Sequence, residues 1–120
     1  MKLKNIPYLF SICKLKDTSK VDLSKEYTFL SVTDEEISLV CKTEDVPDNV
    51  TEQEDQYRAY RIDGILDFSL IGIISDITNV LAECSVPVFT ISTFNTDYFL
   101  IKNKYCIKAV LALRSRGYDI

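Results

Sequence analysis

Histidine is absent from the 120 residues. That single absence excludes every His-dependent catalytic triad, every His-ligated metal site and every imidazole pH switch. Glycine and proline are scarce, three of each. Collagen-like and low-complexity classes are therefore excluded, and a glycine-rich phosphate loop cannot be assembled. No G-x-S-x-G segment is present, so a Ser or Thr nucleophile has no evident base. The four cysteines, Cys13, Cys41, Cys84 and Cys106, lie far apart with no C-x-x-C pair. Zinc and thioredoxin-like chemistry lack their spacing. Each Cys sits among apolar neighbours and reads as a buried free thiol. No run approaches the ~18 apolar residues needed to span a bilayer. The residues thus describe a protein that is not an enzyme and carries no cofactor or metal.

Hydrophobic residues make up 47% and charged residues 27% of the chain, as in an ordinary globular protein. The formal charge is -4. An acidic surface repels phosphate, so nucleic acid is not expected as a partner. The basic start Met1–Lys4 precedes the apolar run Ile6–Cys13, but that run holds Pro7 and no small-x-small site follows. It reads as a strand rather than a signal, which points to a cytoplasmic protein with no membrane contact. The match of Asn49-Val50-Thr51 to a glycosylation sequon is then without meaning.

Charge divides the chain. Residues 1–60 carry 8 basic and 12 acidic side chains, and residues 61–120 carry 6 of each. Much of the acidity falls in Glu44–Asp55, which has no basic residue and reads as a solvated loop or short helix. Tyr8–Leu15, Tyr27–Thr33 and Ile37–Thr43 read as strands, the last two as a hairpin around Asp34-Glu35-Glu36. In the second half Tyr57–Asp63 reads as a strand. Leu70, Ile73, Ile74, Ile77 and Leu81 then fall at helical spacing, with Asp67 or Ser69 as cap. Val86–Ser92 and Asp97–Lys102 are strands joined by Phe94-Asn95-Thr96. Asn103 opens a second helix with Ile107, Val110, Leu111 and Arg114 along one side, closed by Gly117. Tyr118–Ile120 supplies a last short strand. Residues 57–120 thus spell the βαββαβ order.

The segment Ile91–Tyr98 sets three hydroxyls, an amide and a carboxylate between two apolar strands. Turn chemistry alone accounts for such residues: Asn95 and Asp97 bend the chain and hydroxyls satisfy the backbone. They also suit a polar rim for a free amino acid. Its carboxylate needs backbone N–H groups at a helix start, and its ammonium needs an acid. The helix entered through Asp67–Ile73, with Gly72 allowing close approach, supplies the first and Asp97 the second.

These stretches, Leu66–Ile73 and Ile91–Lys102, resemble the small tandem ACT-domain proteins, relatives of the CASTOR arginine sensors and of aspartate-kinase regulatory domains. The Ser-Thr-x-x-Thr-Asp-Tyr block of Ser92–Tyr98 carries the resemblance most specifically. It covers residues 57–120 in detail and 26–48 more loosely. It implies an α+β fold of two ferredoxin-like (βαββαβ) units side by side, antiparallel sheet with helices on one face. Residues 1–56 would form a degenerate first unit and 57–120 the second. It also implies a regulatory module that binds a small amino acid at an inter-unit or dimer interface, and homodimer formation. The matching site positions are Asp67, Phe68, Gly72 and Ile73, then Ser92, Thr93, Thr96 and Asp97. Relatives carry a small hydroxyl residue before the glycine, where this chain has Ile71. The competing reading is a ligand-free interaction module that partners a metabolic enzyme.

Overall fold

The computed structural model describes residues 1–63 and 72–120. The chain forms two compact units: a first, Tyr8–Tyr57, and a second, Arg58–Ile120 joined by Met1–Pro7. Two long strands contribute to both, β1 (Leu3–Leu15) and β4 (Val50–Ile62). The first unit adds β2 (Phe29–Val32) and β3 (Ile37–Lys42). The second adds α1 (Ile73–Glu83), β5 (Phe89–Ser92), β6 (Asp97–Lys102) and α2 (Cys106–Ser115).

In the second unit the strand order is β4-β6-β5, with β5 antiparallel to β6 and Ser92 opposite Asp97. Alternation on these strands turns Tyr60, Ile62, Phe99 and Ile101 toward one core. Both helices close that core: Ile77, Val80 and Leu81 from α1, Ala109 and Leu113 from α2. The Tyr60 and Phe99 rings stack at 5.3 Å within it. The expected α+β arrangement, an antiparallel pair with helices on one face, is what this unit contains. Leu3 joins the same core, and the Asp63 N–H donates to the Lys2 carbonyl at 2.9 Å. The chain end returns as a single parallel bridge between Asp119 and Lys2.

In the first unit the order is β2-β3-β1, all antiparallel. Its core is small: Cys13, Leu15, Leu39 and Cys41, capped by partly buried Val21, Leu30, Ile37, Val46 and Val50. All four cysteines are free thiols; Cys13 and Cys41 are buried, Cys84 and Cys106 half-buried. On the same face of β1 as Cys13, the buried Ser11 hydroxyl donates to Asp55 at 2.5 Å and lies 2.8 Å from that of Thr43.

The two units share a strand–turn–strand device at a spacing of 60 residues. Strands Phe29–Val32 and Ile37–Lys42 recur as Phe89–Ser92 and Asp97–Lys102, and the short 3₁₀ turn Thr43–Asp45 recurs as Asn103–Tyr105. The register recurs as well, with Phe29 opposite Val40 and Phe89 opposite Leu100. Thr33 donates its N–H to the Glu36 carbonyl at 3.0 Å, and Thr93 to that of Thr96 at 2.8 Å.

Several boundaries differ from the sequence reading. The acidic stretch is not a loop throughout: from Val50 it is strand β4, its first residues exposed on both faces, so charge hid the strand. β1 starts at Leu3 rather than Tyr8, and β5 at Phe89 rather than Val86. The first hairpin closes over four residues, Thr33–Glu36, because the Thr33 side chain caps the turn. α1 is capped by Gly72 in the left-handed region, φ +83°, where only glycine is unstrained. The expected caps Asp67 and Ser69, with Leu70, lie outside the described residues. Asn103 does not cap α2; its side chain accepts from the Arg58 Nε at 3.2 Å. Gly117 does follow α2 with φ +92°, as a helix-ending glycine should.

Two consequences are measurable. Thr96 is 7% exposed, and its hydroxyl donates to the Ile62 carbonyl at 2.7 Å, tying the β5–β6 turn to the end of β4. Thr96→Val leaves that carbonyl without its partner and should cost about 1–3 kcal/mol in urea unfolding, while Thr96→Ser keeps most of it. Equal stability of the Val variant would show the bond to be idle. Tyr118 donates to the Asp76 carboxylate, and burial, reinforced by that bond, pushes its phenol up to about 12. Burial also raises Tyr60. In the unfolded chain a tyrosine ionises near ~10. The neutral phenol therefore favours the folded state, and stability should fall as pH climbs from about 10 to about 12. Tyr118→Phe should lessen that fall, read as urea midpoints at about pH 9 and about pH 11.5.

Candidate functional site

The turn between β5 and β6 holds four of the expected site residues. The Ser92 hydroxyl donates to the Asp97 Oδ1 at 2.5 Å across the last pair of the hairpin. The Thr93 hydroxyl donates to the Thr96 carbonyl at 3.1 Å, and that of Thr96 goes inward to Ile62. Every hydroxyl of the block is thus engaged in shaping the turn. Asp97 remains half-exposed, its carboxylate held in place by Ser92. A carboxylate fixed by a neighbouring hydroxyl is a pre-oriented acceptor for a cation.

Gly72 and Ile73 stand at the start of α1. Among the described residues no side chain caps that helix, and the first backbone bond inside it runs from the Asp76 N–H to the Gly72 carbonyl at 2.8 Å. A Cβ placed on Gly72 meets nothing within 4 Å, so its positive φ, not crowding, is what requires glycine. Ile73 is half-buried and packs on the core of the unit. The remaining expected positions, Asp67 and Phe68, and the departure at Ile71 lie outside the described residues.

One group near the turn was not singled out in the sequence. Arg61, beside Ile62 on β4, sets its guanidinium 5.9 Å from the centre of the Tyr98 ring and donates to the Tyr98 hydroxyl at 3.4 Å. It also reaches the Asp63 carboxylate at 3.8 Å. Thr96 fastens the turn to Ile62, so this cation sits next to the point where the turn is anchored. The available signal was an arginine set between Tyr60 and Ile62 at the end of a strand. Among the described residues no three Cys, Asp or Glu side chains converge as a metal site. No described helix is long and apolar enough to cross a membrane.

Comparison with known proteins bears on both the fold and the turn. Residues 52–115 match the sequence profile of the ACT domain. No curated protein matches the chain. A solved protein from Agobacterium tumefaciens is similar at TM-score 0.87 and 23% identity, over 98% of this chain and 90% of that one. A Vibrio cholerae protein described as of unknown function, possibly in transport, is similar at TM-score 0.72 and 15% identity, over 95% and 88%. The ligand-free regulatory subunit of aspartate kinase from Thermus thermophilus is similar at TM-score 0.62 and 10% identity, over 94% and 95%. At such identities these structures show a shared fold, and the profile spans more than half of the sequence. The chain therefore belongs to the ACT domain family.

Proposed function

We propose that the protein is a stand-alone ACT-type regulatory module that binds a small amino acid and signals its presence through assembly. The observation that carries this reading is the Ser92–Asp97 turn, a half-exposed acid held by a hydroxyl inside the segment that matches the ACT profile. Asp97 receives the ligand ammonium. The backbone N–H groups at the start of α1, which no side chain caps among the described residues, receive its carboxylate. Arg61 stands near the turn as a further cation for an anionic side chain. The similarity to an aspartate-kinase regulatory subunit supports the regulatory part of the reading.

We further take the first unit to be a reduced copy of the second. Support comes from the 60-residue spacing of strands, turn and 3₁₀ segment. In the first unit loops stand where the second has α1 and α2, since 16–28 and 46–49 contain no helix. Regulation then runs through homodimers whose stability responds to the amino acid.

Thermal unfolding in the presence of each of the twenty amino acids tests the proposal. A ligand at ~100 times its Kd adds about 2.7 kcal/mol, a shift of several degrees. Asp97→Ala should weaken that ligand about tenfold or more, since a hydrogen bond to a charged group contributes about 1.5–3 kcal/mol. No shift with any of the twenty at millimolar concentration defeats the reading, and unchanged affinity in the variant removes Asp97 from it.

A further inference from the structure

Helix α2 turns hydrocarbon outward. Its inner side is complete: Ala109 and Leu113 are 1% and 0% exposed in the core. Its outer side carries Ile107 and Leu111, one helical turn apart, 81% and 60% exposed. With Cys106, Val110 and Arg114 they line a shallow apolar groove along the helix. The sequence places Ile107, Val110, Leu111 and Arg114 along one side; of these the half-buried Val110 packs on the core, while Ile107 and Leu111 turn outward. Isolated exposed apolar residues need no explanation, but a pair at i and i+4 bordering a groove is the pattern of a helix-binding face.

The charge along this helix is basic, although Arg114 already donates to the Ile120 carbonyl, from Nε at 3.0 Å and from Nη2 at 2.8 Å. From Lys102 to Arg116 there are five basic residues and no acidic one, in a chain of net charge -4. Lys104 and Lys108 are exposed beside the stripe and Arg114 closes it. Arg116 pairs with Glu83 at the end of α1, which offsets one of the five. We propose that this face docks an acidic amphipathic helix of a partner protein. The partner's apolar residues, spaced by three or four, would fill the Ile107–Leu111 groove, and its Asp and Glu side chains would meet Lys104, Lys108 and Arg114.

A second copy of this chain fits the face poorly. Symmetric pairing of α2 with α2 brings two clusters of like charge together, which opposes association. The acidic stretch Glu44–Asp55 has the right charge, but its Val46 and Val50 pack inward on the core of the first unit. On α1 the exposed residues are Ser75, Asp76, Asn79, Ala82 and Glu83, with no large apolar side chain among them. The chain thus offers no described helix that is both acidic and apolar on its exposed side.

The probe is a synthetic helical peptide with Leu at i, i+4 and i+7 and Glu elsewhere, set against the same peptide with Lys for Glu. Binding to the full chain is read by fluorescence anisotropy. The acidic peptide should saturate, and the basic one should bind at least about tenfold more weakly. Leu111→Glu should weaken the acidic peptide about tenfold or more, and so should the double variant Lys104→Glu, Lys108→Glu, which leaves the apolar stripe intact. Both substitutions lie on the exposed side, and circular dichroism confirms that each variant is folded. Raising salt from about 50 to about 500 mM should weaken the complex, because exposed charge pairs are screened over a Debye length. Equal binding of the two peptides, or variants that bind as the parent does, overturns the proposal. So does sedimentation showing a homodimer that Leu111→Glu dissociates, since the face then belongs to a second copy.

Discussion

The second unit depends on the contact between one face of two strands and two helices. Phe99 and Ile101 on β6, with Tyr60 and Ile62 on β4, meet Ile77 and Leu81 on α1 and Leu113 on α2. Phe99, Ile62, Ile77, Leu81, Ile101 and Leu113 are completely withdrawn from water. Each such side chain contributes about 1.5–3 kcal/mol by burial. That sum offsets the entropy lost in ordering the strands and helices it joins. Short-range devices then position the edges: Thr96 on Ile62, and the ion pair of Arg116 with Glu83 between the two helix ends. The candidate site occupies such an edge. Its geometry is set by the core beneath, since the last pair of the hairpin, Ser92 with Asp97, lies two residues from the fully buried Phe99.

The first unit solves the same problem with less. At the spacing of 60 residues, Leu39 and Cys41 stand where Phe99 and Ile101 stand, so a phenyl ring is replaced by leucine and a sec-butyl group by a thiol. Smaller side chains bury less apolar area and need less cover. Loops suffice, and they are held by local bonds. Asp17 accepts from the Ser19 N–H and hydroxyl, and Asp22 does the same for Ser24. Asn49 reaches the carbonyl and the carboxylate of Asp17, each at 3.1 Å. Here hydrogen bonds within loops take the place that two helices hold in the second unit.

The parts of this fold that were legible in the sequence are those whose apolar residues are continuous or periodic. β6 was read at its true limits, Asp97–Lys102, because its apolar run is bounded by turn residues on one side and polar residues on the other. α1 was read from Ile73, Ile77 and Leu81, and Ile77 and Leu81 are core. β4 was half missed because Thr51–Gln56 are exposed on both faces and show no period of two. On α2 the apolar spacing was legible and the side that faces the core was not. Two stripes, Ala109–Leu113 and Ile107–Leu111, both satisfy a four-residue repeat, and only packing decides which turns inward. At the site, the polar turn was evident from composition. Arg61 was not, because its proximity to Tyr98 joins residues 37 positions apart in the sequence.

The engagement of each hydroxyl in the turn bears on how it would meet a ligand. A turn whose hydroxyls were all free would pay side-chain entropy on binding; this one has already done so on folding. Ser92 donates to one oxygen of Asp97, and a carboxylate carries about four lone-pair sites, so that bond leaves capacity for an ammonium group. Charge then separates the two surfaces by partner. A zwitterionic amino acid has no net charge and is indifferent to the overall -4 of the chain, so its recognition at the proposed site would rest on fixed local groups at the turn. The proposed protein partner would be sensitive to the field around α2, where five basic residues follow one another without an acid. On the two proposals made above, ligand and partner would be read by different physics, contact geometry at Asp97 and longer-range charge at α2. Because α2 is packed on the same core as β6 through Leu113 and Phe99, both readings depend on one set of buried side chains.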